Sequence, residues 1–199
     1  ESIFSNPTLK WYDPANGIGN FAIILFYRLM SGLKSIIPND QKRKQHILEQ
    51  MIYVSELNPA NNHLYKTIMN ANRQYKLNIN EGDSLKLDIK EKWGIDKFDV
   101  VIGNPPYNNS FKNNGNGYVS SLYDAFILKY RSLTRWLTFI TPSRWFIAKD
   151  MMKFRKEMLE QNNIVYIRHI ECSKDVFKNV DIKGGVSYFL IDTIYKGKC

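Results

Sequence analysis

The sequence predicts an α/β chain: a mostly parallel sheet with helices on both faces. Three observations carry this. Short runs rich in Val, Ile, Tyr and Phe alternate with longer stretches of helical period. One run, FDVVIG at 98–103, is almost continuously apolar, as a strand buried on both faces must be. That run ends in Asn-Pro-Pro-Tyr (104–107), where two residues without N–H groups stop any strand ladder.

The elements come in order. LKWYD (9–13) reads as a strand and GNFAIILFYRLMSGL (19–33) as a helix, apolar nearly all round and so expected to be well buried. A polar stretch, 34–50, predicts a helix after Asp40. MIYVSE (51–56) is a second strand, and 59–73 is a helix opened by Pro59 at its first position. YKLNIN (75–80) and 98–103 are the third and fourth strands. After an Asn/Gly-rich loop at 108–117 come a helix (121–133), a strand stopped by Pro142 (136–141), an amphipathic helix (147–161) and two closing strands (164–171 and 186–195).

Composition narrows the class. The chain has 199 residues with 44% hydrophobic side chains, enough for one domain with a real core. No apolar run approaches the ~18 residues of a membrane span, so no membrane partner is expected. Cys172 and Cys199 form no framework, which predicts a reducing cytoplasm. His46, His63 and His169 lack metal-ligand spacing, and no metal is expected. Net charge is +9, and its excess is local: residues 112–156 hold 9 basic and 2 acidic side chains, against 13 and 11 in residues 1–111. Such a segment is either a solvated surface or a phosphate-facing patch.

Four places carry candidate chemistry. In YDPANGIGNF (12–21), Gly17 and Gly19 let the backbone turn sharply beside a ligand. A plain strand–helix turn carries the same residues, and neither a full Gly-x-Gly-x-x-Gly nor a Walker lysine is present. Asp13 would repel phosphate and suit a cation. Glu56, ending the second strand, can accept from both hydroxyls of a ribose, or simply open a helix. Asp83 can accept from an exocyclic amine, or be an ordinary turn residue.

Asn104-Pro-Pro-Tyr is the fourth. Pro105 and Pro106 leave a backbone that presents mainly acceptors, Asn104 adds a side-chain carbonyl, and Tyr107 adds a ring face. Two acceptors and one ring suit a flat group bearing an NH₂. Two carbonyl oxygens taking one N–H each would localise the nitrogen lone pair, and the ring would stack on the base.

Together, DPANGIGNF, ELNPAN, EGDSLKLD and FDVVIGNPPYN, in that order, resemble the S-adenosylmethionine-dependent DNA adenine-N6 methyltransferases of restriction–modification systems, in the branch whose cofactor motif precedes the catalytic one. The later LYDAFILKY and LTFITPSRWF are similar to that branch too. The resemblance implies a Rossmann-like methyltransferase fold, a mostly parallel seven-stranded sheet with helices on both faces and one antiparallel strand near the end. It implies that Asp13, Pro14, Gly17, Gly19, Phe21, Glu56 and Asp83 bind S-adenosylmethionine, and that Asn104, Pro105, Pro106 and Tyr107 are catalytic. Asn16 stands where relatives often carry Cys. DNA is the implied partner, with a separate or fused specificity or nuclease component. The expectation for 1–199 is a catalytic domain without the upstream cofactor segment and the target-recognition domain of that branch. Two rivals remain: a methyltransferase acting on a glutamine side-chain amide, which uses the same tetrapeptide, and a non-catalytic, methyltransferase-like nucleic-acid-binding subunit.

Overall fold

The computed structural model describes residues 2–108, 121–161, 163–178 and 180–197. The strands form a mixed seven-stranded sheet, and the chain divides into two compact units, Glu1–Gly103 and Asn104–Cys199. In the first unit the strands are β1 (Trp11–Asp13), β2 (Ile52–Glu56), β3 (Asn78–Glu81) and β4 (Phe98–Gly103), in the order β3-β2-β1-β4 and all parallel. In the second they are β5 (Thr134–Pro142), β6 (Ile164–Ile170) and β7 (Val186–Asp192) in the order β5-β7-β6, with β7 antiparallel to both neighbours.

Helices of the first unit start where the sequence supplies caps. Helix α1 (Asn20–Gly32) begins after Gly19, whose φ of 101° no other residue type adopts readily. Asn39 caps α2 (Asp40–His46), which runs through a π-helical turn (Ile47–Met51) directly into β2. Asn58 accepts from the Ala60 N–H at the start of α3 (Pro59–Asn70), with Pro59 in the first turn. A short helix, α4 (Ile89–Trp93), is capped by Asp88 and ended by Gly94 in the left-handed region. Its five residues carry one apolar i, i+4 pair, Ile89 and Trp93, which is too short a pattern to stand out in the sequence.

Helix α1 departs from expectation. Only Ala22, Leu25 and Leu29 are buried along it, while Ile24 and Tyr27 are 62% and 68% exposed. A helix on a sheet touches it along one stripe, so a helix apolar all round still leaves its outer side open. The predicted third strand also starts late, at Asn78, because both hydrogen-bonding groups of the Asn70 side chain hold the backbone of Tyr75 in a turn. Nine of the predicted residues of 147–161 form helix α6 (Met152–Glu160), preceded by a 3₁₀ turn, Lys149–Met151. Helix α5 (Tyr123–Ser132) buries Tyr123, Phe126, Ile127 and Tyr130. The predicted loop 108–117 lies outside the described residues except for Asn108.

The core of the first unit includes an aromatic cluster. Tyr12 stacks on Phe98 at 4.6 Å, Tyr53 lies 5.4 Å from the same ring, and Trp93 packs edge-on at 6.1 Å. Phe98 is 2% exposed at the start of β4, so this cluster fixes the strand that leads to Asn104. Phe98→Ala is expected to cost about 3–5 kcal/mol of stability. Urea unfolding checks this; a loss below about 1 kcal/mol would mean that the cluster refills the space.

Candidate active site

The glycine turn, residues 13–19, is built from its backbone inward. Parallel pairing of β1 with β2 and β4 puts Asp13, Glu56 and Gly103 at the same, carboxyl-terminal edge of the sheet. The Asn16 N–H donates to the Ser55 carbonyl at 2.9 Å, and the Gly19 N–H donates to the Asn16 carbonyl at 2.9 Å. The Glu56 carboxylate then ties two turns together: Oε2 accepts from the Gly17 N–H at 2.7 Å and Oε1 from the Asn58 N–H at 2.7 Å. Its own carbonyl accepts from Asn62 Nδ2 at 2.9 Å. A Cβ on Gly19 would come within 2.5 Å of the Tyr65 ring, so the turn passes against α3 with no space for a side chain.

Within this turn and on α3 beside it, several buried polar atoms have no partner among the described residues: Asp13 Oδ2, both polar atoms of the Asn16 side chain, and Asn62 Oδ1. Buried polar groups are almost always paired, so a cluster of unpaired ones at a glycine turn makes a candidate cradle for a ligand. Asp13 is 4% exposed. Burial pushes its carboxyl up to about 7; the Ala15 N–H it accepts from opposes that shift, and Glu56 nearby adds to it. Burial, and secondarily the charge of Asp13, also raises the Tyr65 hydroxyl above its ordinary value. The cradle therefore offers carboxyl and amide acceptors, the Asn16 Nδ2 donor and no basic side chain. It fits a ligand with a cation and hydroxyl groups and does not fit a phosphate.

The other predicted cofactor residues are placed around it or beyond it. Pro14 is buried in the turn, and Phe21 is half-buried in the first turn of α1. Asp83 comes after β3 and is exposed; its Oδ1 accepts from the Leu85 N–H at 3.0 Å and Oδ2 lies 3.7 Å from Lys86 Nζ. Asn62 and Tyr65 were not singled out in the sequence. The only signal for them is helical spacing after Pro59, which places positions 62 and 65 on the inward face of α3.

In the second unit, Asn104 Oδ1 is enclosed and accepts no hydrogen bond among the described residues. Pro105 is buried and Pro106 exposed. Tyr107 is anchored through its carbonyl, which accepts from the Leu122 N–H at 3.1 Å, and Asn108 bridges to Ser121. Its ring packs edge-on to Tyr123 at 6.5 Å; Tyr123 packs on Phe154 at 6.2 Å, and Phe154 on Trp145 at 5.8 Å. Burial raises the Tyr107 hydroxyl well above the ordinary tyrosine range; the adjacent Asn104 side chain opposes this without reaching hydrogen-bond geometry. The hydroxyl thus stays protonated at neutral pH.

The basic segment 112–156 thins on folding. Arg131 is buried, donating to Asn163 Oδ1 and the Glu157 carbonyl. Arg155 donates to the carbonyls of Trp145 and Ala148, and Arg144 pairs with Asp150 at 2.6 Å. Lys112 lies outside the described residues. Among the described residues no cluster of three or more metal-ligating side chains occurs, and no helix is long and apolar enough to cross a membrane.

A glycine-turn cradle at the carboxyl edge of a parallel sheet, with Asn-Pro-Pro-Tyr after β4, defines the class of Rossmann-like methyltransferases, and sequence comparison narrows it. The profile of the Eco57I restriction-modification methylase family matches residues 24–177, and the chain belongs to that family. The match includes Glu56, Asp83 and Asn104–Tyr107 and starts past the glycine turn. An adenine-specific methylase of Mycoplasma pneumoniae, itself uncharacterised, is 26% identical across 98% of this chain; the chain spans 63% of that relative. Among solved structures, the M protein of the type I restriction enzyme EcoKI superposes with a TM-score of 0.70 at 16% identity, covering 94% of this chain and 41% of its own. The type ISP enzyme LlaBIII, solved bound to DNA, gives 0.69 at 16%, covering 100% and 17%. A Listeria monocytogenes protein described as a class I S-adenosylmethionine-dependent methyltransferase gives 0.60 at 17%, covering 96% and 56%. At these identities the likeness is one of fold.

Asp13 makes the stability of the first unit depend on pH. It binds its proton more tightly folded than unfolded, where its value is near 3.8, so its contribution to stability falls as pH rises from about 4 to about 7 and is flat above. Asp13→Asn, which keeps the acceptor for Ala15, should raise stability at pH 8 by up to about 4 kcal/mol, with the gain vanishing towards pH 4. Denaturation of both proteins across that range measures it; a pH-independent difference would place the ionisation elsewhere. Gly19→Ala should cost at least about 1–3 kcal/mol from overpacking against Tyr65, read from the same curves.

Proposed function

We propose that this chain binds S-adenosylmethionine in the 13–19 turn and transfers its methyl group to the N6 amine of adenine in DNA, within a restriction–modification system. The observation that carries the reading is the enclosed, unpartnered Asn104 Oδ1 ahead of two prolines. Family membership and the adenine-specific relative support it. They also favour DNA over a protein side-chain amide as the acceptor.

Asp13 and Glu56 would face the cationic and the ribose portions of the donor, Asn16 and Asn62 its remaining polar edge, with Pro14 and Phe21 as apolar walls and Asp83 at its adenine. S-adenosylmethionine supplies, when bound, an electrophilic methyl group on a sulfonium. The acceptor work falls to the tetrapeptide. Asn104 Oδ1 takes one N–H of the adenine amine and the Pro105 carbonyl takes the other, which pulls the nitrogen towards tetrahedral geometry and localises its lone pair. The Tyr107 ring stacks on the extruded base, and its protonated hydroxyl takes no part as a base. The nitrogen becomes cationic as its bond to the methyl carbon forms and the carbon–sulfur bond breaks, its electron pair staying on sulfur in the departing thioether S-adenosylhomocysteine; the nitrogen then loses a proton to water.

The solved relatives include a modification protein of a type I restriction enzyme and a restriction–modification enzyme bound to DNA. We extend that setting to this chain: it works beside a recognition component, with few phosphate contacts of its own from residues 112–156.

Asn104→Ala should lower methyl transfer by at least about 10²-fold, the scale of losing a preorganised polar group, and leave the dissociation constant for S-adenosylmethionine within about twofold. Tyr107→Phe should stay near wild type and Tyr107→Ala fall between. Labelled-methyl incorporation into DNA, RNA and protein, in the assembled complex, reads all three. Near-full turnover by Asn104→Ala, or label in protein alone, would overturn the assignment.

A further inference from the structure

A groove of about 570 Å³ runs between α3 and β3, and a second of about 390 Å³ lies beside α2; Tyr75 lines both. Neither contains any residue of the glycine turn or the tetrapeptide. At their junction the chain makes a costly turn. Arg73 has φ of +51°, the single positive value for a non-glycine residue among those described. Such a conformation persists only where surrounding contacts enforce it. Here they are explicit: Asn70 Nδ2 donates to the Tyr75 carbonyl at 2.6 Å, Asn70 Oδ1 accepts from the Tyr75 N–H at 3.2 Å, and the Arg73 N–H donates to the Asn70 carbonyl at 2.9 Å.

The turn holds Arg73 and Tyr75 at the groove, and Lys44 Nζ lies 5.3 Å from the centre of the Tyr75 ring. Lys42 lines the second groove. The acids nearby are otherwise engaged: Glu81 pairs with Lys66, and Glu49 accepts from the Lys76 N–H and from Gln45. Lys42, Lys44 and Arg73 make no ion pair among the described residues. Three cations outside any ion pair, one of them over the Tyr75 ring and the other two lining the grooves that this ring shares, fit a rod-like polyanion with bases to stack. A lipid surface would call for a protruding apolar edge instead.

We propose that this channel is a second nucleic-acid contact, in which Lys42, Lys44 and Arg73 take backbone phosphates and Tyr75 stacks on a base. It shares no residue with the catalytic tetrapeptide, and it rests on the methylation reading only for the choice of DNA as the polyanion. Its use is to hold a flanking or displaced strand while another segment is modified.

The test is fluorescence anisotropy of a labelled single strand and a labelled duplex, titrated in rising salt, with the full chain. The triple variant Lys42→Ala, Lys44→Ala, Arg73→Ala should bind at least about tenfold more weakly at low salt, with the log–log salt slope reduced by about 2. Lys90→Ala, Lys92→Ala, Lys97→Ala removes the same charge from another exposed site and should have little effect. Arg73→Gly relieves the left-handed turn, so it should keep or raise thermal stability while still weakening binding. Tyr75→Ala should weaken the single strand more than the duplex. Equal losses in both triple variants, no loss in either, or a loss confined to anionic phosphatidylserine vesicles, would overturn the proposal. Calorimetry with S-adenosylmethionine reads the cradle separately, so failure of this channel and failure of the methylation reading are distinguishable.

Discussion

A carboxylate that accepts two backbone N–H groups fixes both, and Glu56 does this between segments far apart in sequence. Through Oε2 it holds Gly17, and through Oε1 it holds Asn58 at the mouth of α3. The turn after β1 and the turn after β2 are thereby one object. Neither could shift without breaking a charge-assisted bond, each stronger than a neutral one. With the turn held, Gly19 can press on Tyr65, and Asp13 and Asn16 can be enclosed with their outward atoms unpaired. Enclosing them costs stability, and that cost is the observation on which the proposed donor site rests.

The tetrapeptide obeys the same logic with a different chemistry. The strand β4 is apolar but for Asp99, whose Oδ2 accepts from the Lys10 N–H at 2.7 Å, and it runs to the sheet edge, where it ends at Gly103. Beyond Asn104, Pro105 and Pro106 remove two backbone donors in succession. Beside them the Asn104 Oδ1 is enclosed and accepts no hydrogen bond among the described residues. The Tyr107–Tyr123–Phe154–Trp145 series supports the ring from one side, so its position is set by packing.

Much of this was legible in the sequence, and the reasons for the rest are physical. The alternation of elements, the run FDVVIG and the two short motifs give the sheet and its edge, because each is a local pattern. The β7 strand sits antiparallel between β5 and β6, as the resemblance implied. Less legible was anything decided by distance in the chain. That Glu56 would lock Gly17, 39 residues away, is not written at either position. The exposed side of α1 could not be told from its buried side, since both are apolar. The basic segment read as surface charge, yet Arg131 and Arg155 serve carbonyls inside the fold. Asn16, which stands where relatives often carry Cys, is a buried amide with neither polar atom paired among the described residues.

If a cationic ligand completes the cradle around Asp13, whose carboxyl is held near 7 by burial, its binding must drive off the Asp13 proton. The most direct measurement is calorimetry of S-adenosylmethionine binding at pH 6.5 in two buffers of different ionisation enthalpy, with Asp13→Asn alongside. The expected result is release of more than about half a proton per site by the wild-type protein, and none by the variant. Binding of the same affinity with no difference between buffers would contradict it.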